Sequence, residues 1–158
     1  MDKKMEHSLL KNTIESTKSV FNMMAGIDVK GEDIIIFNKD GVKGDVTGII
    51  GLSNDHIKGS MAITFPEELG KEVVANMLAI APEDISEEEL KDGLGEITNM
   101  VAGDLNNRIG NIFKLSLPSV ITGKDHLVSL THNDTPIVFK FFALDKPFHL
   151  LATFEEQK

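Results

Sequence analysis

The sequence predicts an α+β protein in which long helices pack on a mainly antiparallel sheet. Two observations carry this prediction. Residues 86–112 place apolar side chains at the spacing of one face of a helix. The regions 27–65 and 115–154, on either side of the helical middle of the chain, consist of short β-rich runs separated by turn residues. The resulting order of helix, strands, two helices and strands is typical of the α+β class.

Two helices are predicted before residue 86. The first extends from His7 to about Met24, where apolar residues recur with an imperfect helical period and Gly26 follows as a stop signal. The second extends from Pro66 to about Ile80, because proline is favoured at the first position of a helix. The first group of strands lies between these two helices.

Seven strands are predicted from the β-rich runs: Ile27 to Phe37, Asp45 to Leu52, Lys58 to Phe65, Leu115 to Thr122, Leu127 to Thr131, Ile137 to Leu144 and Phe148 to Phe154. Turn residues separate neighbouring runs at five places: Asn38 to Gly41, Ser53 to Asp55, Gly123 to Asp125, Asn133 to Asp134 and Asp145 to Pro147. Turns of this composition between β-rich runs are typical of hairpins.

The third helix, predicted over residues 86–112, has two contrasting faces. It begins with a capping box, because Glu89 follows Ser86 by three residues. The predicted core stripe is Leu90, Leu94, Ile97, Val101, Leu105, Ile109 and Ile112. The opposite stripe is polar and contains Asp92, Glu96, Asn99, Gly103, Asn106 and Gly110. Since glycine inside a helix costs about 1 kcal/mol relative to alanine, its two glycines suggest that another molecule approaches this face closely. A plain solvated face is the alternative interpretation.

Composition excludes several classes of function. The chain has 158 residues, which suits a single domain spanning 1–158, and no cysteine, so disulfides and thiol chemistry are excluded. Its net charge of −9 argues against binding to nucleic acid or to anionic membranes. Neither a signal peptide nor an apolar stretch of membrane-spanning length is evident, so a soluble cytoplasmic protein is expected. The five histidines are scattered without metal-ligand spacing, so no metal site is predicted.

The sequence also contains a weak internal repeat. The segment Asn22-Met23-Met24-Ala25-Gly26 is similar to Asn99-Met100-Val101-Ala102-Gly103. In the same alignment Glu15 lies opposite Asp92, and Ser19 lies opposite Glu96. The repeat predicts two copies of a unit made of one helix and antiparallel strands, although chance similarity is a serious alternative for matches this short.

These residues resemble a known family. Asp92, Glu96 and Asn99, followed by Ala102-Gly103, are similar to the Asp/Ser-xxx-Glu-xx-Asn helix of the CheC/CheX/FliY family of chemotaxis phosphatases. The stretches Leu117 to Gly123 and Phe21 to Gly26 also resemble CheX, and the order of elements fits over nearly the whole chain. CheC carries the Glu/Asn motif in both halves, whereas this chain has Ser19 at the first Glu position. With its single Glu/Asn motif, the chain therefore resembles CheX rather than CheC. Pro118 lies nearer to the motif than the proline of the family pattern, and we do not count it as a match.

The resemblance implies the CheC-like fold and a hydrolase acting on the phosphoaspartate of a CheY-type response regulator. Asn99 is then expected to position the attacking water, and Glu96 to dock against the lysine of the receiver domain. No cofactor is expected on this chain, because the receiver brings Mg²⁺. Whether Asp92, or Ser19 and Asn22, contribute to the site is left open by the sequence.

The resemblance also implies a homodimer. The run Ile137 to Leu144 supports this slightly, because it is apolar on both alternating faces apart from Lys140 and is therefore expected to be covered on both sides. The alternative is a central strand of a monomer.

Two other classes of function remain open. One is a non-catalytic module of the same fold that binds receivers or belongs to the flagellar switch, and the other is an unrelated domain that binds small molecules. The presence of both Glu96 and Asn99 favours the enzyme over the module.

Overall fold

The computed structural model describes residues 3–31, 40–130 and 136–157, together with the backbone of residues 34–35. Its α-helices are α1 (Lys3–Ala25), α2 (Glu67–Leu78) and α3 (Glu87–Arg108), and a short 3₁₀ turn occupies Pro82–Asp84. Its strands are β1 (Ile34–Ile35), β2 (Val42–Ser53), β3 (Ile57–Phe65), β4 (Lys114–Leu115), β5 (Ser119–Val128), β6 (Ile137–Ala143) and β7 (Lys146–Glu156).

The strands form one sheet in which every pair is antiparallel. Their order is β1-β6-β7-β3-β2, and both β4 and β5 pair with the outer edge of β2. The three helices pack together, and α3 contacts both α1 and α2. Helix α3 also lies on β2 and β5. The predicted α+β class is confirmed.

The core between helices and sheet is centred on stacked phenylalanines. The ring of Phe148 on β7 lies 4.9 Å from those of Phe21 on α1 and Phe65 on β3, and 5.4 Å from that of Phe141 on β6. All four side chains are buried. Because aromatic burial supplies a large share of the hydrophobic driving force, this cluster ties α1 to the middle of the sheet.

The topology is two-fold symmetric, as the predicted repeat requires. One unit is α1-β1-β2-β3 and the other is α3-β5-β6-β7. Exchanging β1 with β5, β2 with β6 and β3 with β7 reverses the strand order into itself. The first strand of each unit pairs with the middle strand of the other, so the two units interlock in one sheet.

The face of the sheet away from the helices carries a second, small core. Ala62, Val138 and Leu151 on adjacent strands are buried there against Val42, Val128 and Leu130. Val42 and Val128 lie on the ribbon of β2 and β5, beyond the point between Gly44 and Val46 where its register shifts. On β6 the side chains of Phe139, Phe141 and Ala143 belong to the main core, whereas on the opposite face Val138 is buried and Phe142 is 39% exposed, so this chain covers that face only in part.

Three predictions about the strands were wrong: one pairing, one turn and one continuous run. The run Ile27 to Phe37 is not a strand paired with the next run: Lys30 makes an isolated bridge with Phe142, and β1 pairs with β6. The predicted turn at Gly123 to Asp125 lies inside the continuous strand β5, where those three residues face the single residue Asp45. The run Leu115 to Thr122 is divided between β4 and β5.

Other boundaries moved by a few residues. The last hairpin turns at Leu144 and Asp145, both with positive φ, rather than at 145–147. Pro66 is the N-cap of α2 rather than its first helical residue. The hairpin of β2 and β3 at residues 53–55 is confirmed. Residues 38–39 and 133–134 of two predicted turns lie outside the described residues, as does Thr131.

Candidate functional site

The site is built on α3, whose orientation is fixed at its start and along one face. The predicted capping box is present: the Glu89 N–H donates to Ser86 Oγ and the Ser86 N–H donates to Glu89 Oε1, each at 3.0 Å. Hydrogen bonding to the carboxyl by the Ser86 backbone N–H, followed by that of the Ser86 side chain, lowers the pKa of Glu89. Leu94, Ile97 and Val101 are fully buried beneath the helix. The remaining stripe of α3 is therefore held outward.

Two glycines allow α3 to lie very close to the sheet. A Cβ at Gly48 of β2 would fall 2.0 Å from Oγ1 of Thr98, and a Cβ at Gly95 would fall 3.3 Å from Cγ2 of Val120 on β5. Larger residues at these positions would push the helix away from β2 and β5. The close approach brings residues of β5 beside the outward face of α3.

Glu96 and Asn99 lie side by side on that outward face. Glu96 is exposed and Asn99 is half-buried, and Asp92, one turn before Glu96, is also exposed. Among the described residues neither the Glu96 carboxylate nor the Asn99 carboxamide has a hydrogen-bond or ion-pair partner in this chain. Both groups are thus available to another molecule.

These side chains line an open cleft of about 480 Å³ between α3 and β5. Its lining residues are Lys91, Asp92, Gly95, Glu96, Asn99, Pro118 and Val120. No role at the site was predicted for Lys91, Gly95, Pro118 or Val120. A signal for Pro118 was present, because a proline within a β-rich run marks an edge strand or a bulge, which is where binding residues are often re-aimed.

The predicted polar stripe is correct in its first two-thirds and wrong in its last third. Asn106 is only 8% exposed, and its carboxamide accepts from the Phe113 N–H and donates to the Phe113 carbonyl, both at 2.9 Å. Gly110 lies beyond the end of the helix with φ +96°, and Ile112 is 37% exposed rather than part of the core. Helix α3 ends here because the Asn106 side chain binds the backbone of Phe113 and so holds the following segment against the helix. Of the two predicted glycines only Gly103 belongs to the outward face, where a Cβ would meet nothing within 4 Å.

A second cavity of about 340 Å³ lies next to this cleft, near the starts of α2 and α3. Asp45 holds its walls together: its carboxylate accepts from the Glu67 N–H at 2.8 Å and from the Asp125 N–H at 2.9 Å. These two bonds, that from Asp125 first, lower the pKa of Asp45. The Thr122 hydroxyl also donates to the Glu87 carboxylate across this second cavity, at 3.2 Å. The flank of the site formed by β5 is thereby tied to both helices.

On α1 the position that corresponds to Glu96 is Ser19, which has no carboxylate. Glu15, Ser19 and Asn22 are all exposed, so they occupy an outward face as Asp92, Glu96 and Asn99 do on α3. Of these two sets of related positions, the one on α3 combines a glutamate with an asparagine three residues later.

Two of the described histidines, His126 and His149, have defined surroundings in the fold. His126 contacts the Gly123 carbonyl and Thr47 Oγ1, each at 2.6 Å, and Thr47 in turn contacts Thr64. Burial, followed by the charge of Lys140, lowers the pKa of His149. His132 lies outside the described residues. Within the described ranges no group of three or more histidines and acidic residues is placed to hold a metal ion. No helix in that part of the chain has both the length and the apolar character needed to cross a bilayer.

Comparisons with known proteins agree on one family. The family model described as chemotaxis phosphatase CheX matches residues 46–142, which is more than half of the chain. A chemotaxis protein CheX from Vibrio vulnificus is 31% identical, with a TM-score of 0.85 over 93% of this chain and 99% of that one. A CheC-like superfamily protein from Shewanella sp. PV-4 is 30% identical, with a TM-score of 0.86 over 98% and 99% of the two chains.

A further match shares the fold at lower identity. It is the structure of a CheX-CheY-BeF₃-Mg²⁺ complex from Borrelia burgdorferi, at 18% identity and a TM-score of 0.71 over 94% of this chain and 97% of that chain. No curated protein matches the sequence with significance. The family model and the CheX structure from Vibrio vulnificus confirm the resemblance drawn from residues 92–103. The chain belongs to the CheX family of chemotaxis phosphatases.

Proposed function

We propose that the protein hydrolyses the phosphoaspartate of a CheY-type response regulator, with Asn99 positioning the attacking water and Glu96 docking the receiver lysine. The observation that carries this proposal is the pair itself: Glu96 and Asn99 project into an open cleft and have no partner in the described part of the chain. The family to which the chain belongs and the complex of a relative with CheY support a receiver as the partner.

The chemistry suits these two side chains. The water oxygen forms a bond to phosphorus while the bond between phosphorus and the aspartyl oxygen breaks, which yields inorganic phosphate and a free carboxylate. Such reactions depend on positioning and electrostatic stabilisation more than on covalent catalysis. The Asn99 carboxamide has both an acceptor and two donor hydrogens with which to hold a water molecule in line. The receiver supplies Mg²⁺ and its lysine, so this chain needs no metal of its own, and both proteins meet in the cytoplasm.

Glu96 has a different part in the proposal. It lies one helical turn from Asn99, at i and i−3, so a lysine paired with its carboxylate fixes where the phosphoryl group sits relative to Asn99. The active site is then shared between two proteins. A non-catalytic receiver-binding module would not require Asn99 to point into the cleft without a partner.

Phosphate release from a phosphorylated receiver tests the proposal directly. We expect the protein, at concentrations well below that of the receiver, to release phosphate faster than the receiver does alone. Release at the receiver's own rate, despite demonstrable binding, would favour the non-catalytic module instead.

Replacing Gly103 with leucine should reduce activity without destabilising the fold. Gly103 follows Asn99 by one turn on the outward face, and a Cβ there meets nothing within 4 Å. A leucine is therefore expected to gain up to about 1 kcal/mol of helix stability while obstructing the receiver. Thermal unfolding and phosphate release should be measured together, with Gly103→Ala as the matched variant that adds helix propensity but little bulk. A strongly destabilised Gly103→Leu protein would show that Gly103 is packed inside and that this face is assigned wrongly.

We also propose that the protein is a homodimer. The run Ile137 to Leu144 gives slight support, because Phe142 is 39% and Leu144 is 44% exposed. Further support comes from β5, an edge strand of the described sheet on which Ile121 is 48% and Leu127 is 60% exposed. A second copy pairing at such an edge would continue the sheet and cover apolar surface. Sedimentation at micromolar concentration should give twice the chain mass of 17.3 kDa. A mass of one chain that persists at high concentration would contradict the dimer.

A further inference from the structure

A β-bulge stands at the rim of the cleft. β4 and β5 form one interrupted edge strand along β2: Leu115 pairs with Leu52, and Ser119 pairs with Ile49. Between these pairs Ser116 bonds to Gly51, so Leu117 and Pro118 together face the single residue Ile50. Two residues opposite one is the definition of a bulge, and bulges re-aim the side chains that they carry.

Three hydrogen bonds and a proline restrict the conformation of the bulge. The Ser116 N–H donates to the Gly51 carbonyl at 2.9 Å, and the Gly51 N–H donates to Ser116 Oγ at 2.8 Å. The Ser116 hydroxyl donates to the Leu117 carbonyl at 3.1 Å. The ring of Pro118 fixes φ and leaves no backbone N–H to satisfy at the irregular position. The conformation of this segment is therefore set before any partner arrives.

The bulge sends its two side chains to different places. Pro118 lines the cleft with Glu96 and Asn99, whereas Leu117 is 89% exposed, the largest exposed fraction of any large apolar side chain in the described ranges. A single exposed leucine is ordinary on a protein surface. This one differs because a hydrogen-bonded backbone presents it next to Pro118 of the cleft, and a restricted backbone loses less entropy when a partner covers it.

We propose that Leu117 is the apolar anchor that holds the receiver domain over the Glu96 and Asn99 cleft. The inference rests on the proposed function. Its occupant is a receiver with an apolar depression near its phosphoaspartate, because a protein that places a phosphoryl group at Asn99 enters the cleft lined by Pro118, the residue next to Leu117. Interfaces take most of their affinity from a few buried anchors of this kind. Leu117 thus determines which receivers bind well and takes no part in the chemical step.

Steady-state kinetics of Leu117→Ala and Leu117→Asp test the inference. Phosphate release is followed as a function of the concentration of phosphorylated receiver. We expect KM to rise about tenfold or more, the usual scale for an interface anchor, with kcat within about twofold of the wild-type value. The affinity for the same receiver carrying beryllofluoride should fall by a similar factor. Leu78→Ala, which removes a 46% exposed leucine from α2, is the matched control and should change neither quantity.

The possible outcomes separate this inference from the proposed function. If the wild-type protein hydrolyses the phosphoaspartate and both Leu117 variants keep its KM, only the anchor is overturned. A fall in kcat at constant KM also overturns it, because Leu117 would then shape the cleft. Sedimentation is the third arm: if the Leu117 variants lose a dimer that the wild type forms, a second copy rather than the receiver covers Leu117. If the wild-type protein neither binds nor hydrolyses any receiver, the proposed function fails and the anchor with it.

Discussion

Replacing Asn99 with alanine is expected to abolish the acceleration of receiver dephosphorylation, leaving phosphate release at the receiver's own rate. A water molecule held in line with phosphorus needs both a donor and an acceptor in a fixed position, and the carboxamide supplies both. Loss of correct positioning alone costs about 100-fold in rate, so we expect at least that reduction. The fold should be unaffected, because the Asn99 side chain has no hydrogen bond within the described residues.

Asn22→Ala is the matched control for this experiment. Asn22 is exposed on α1 at the position that the two-fold repeat relates to Asn99, but the residue related to Glu96 is Ser19. The control removes the same carboxamide from the same kind of surface and should leave activity unchanged. Receiver affinity should also be nearly unchanged in Asn99→Ala, since docking is assigned to other residues. A folded Asn99→Ala protein with near-normal activity would contradict the water-positioning role.

The helices were predictable because their signals are local. The capping box at Ser86 and the buried spacing from Leu90 to Leu105 lie within one element, so the sequence alone indicated where α3 begins and which face it buries. Its end was predicted too late, because it depends on Asn106 reaching forward to Phe113. An asparagine near a helix terminus can serve the backbone as readily as the solvent, and spacing does not distinguish the two.

The strand partners were less predictable because pairing is a long-range property. Turn residues suggested that Ile27 to Phe37 pairs with the next run, yet β1 pairs with β6, about a hundred residues later. Gly123 to Asp125 have the composition of a turn, but they are accommodated in β5 by a positive φ at Asp125 and by the bond from its N–H to Asp45. The pairing of β1 with β6 follows from the interlocking of the two units, whose paired strands lie far apart in the sequence.

The candidate site was predictable to the same extent as its elements. Glu96 and Asn99 were expected on an outward face because they lie on one helix, and the structure places them there. Pro118 and Val120 were missed, because they join the cleft only through the pairing of β5 with β2. The chemical roles of Glu96 and Asn99 remain predictions.

Glu96→Ala is expected to lower receiver affinity and activity together. In the free protein the carboxylate is exposed and unpartnered among the described residues, so its removal should not destabilise the fold. In the proposed complex, the docked receiver encloses this carboxylate beside the cleft with a lysine. Truncating one partner of a buried, hydrogen-bonded charge pair costs about 2–5 kcal/mol, whereas an exposed pair is worth under about 1 kcal/mol. The lower limit corresponds to a loss of about 30-fold in affinity, measurable by titration with a receiver carrying beryllofluoride.

The size and salt dependence of that loss determine how Glu96 acts. Glu96→Gln keeps a side-chain acceptor but removes the charge, so it should lose most of the affinity if pairing with lysine dominates. Rising ionic strength should weaken binding of the wild-type protein more than that of Glu96→Gln, because screening acts on the charge alone. Glu15→Ala removes an exposed carboxylate from α1 and controls for the change in net charge. If Glu96→Ala retains both wild-type affinity and wild-type activity, Glu96 does not belong to the site, and Asn99 must act with a different docking residue of the cleft.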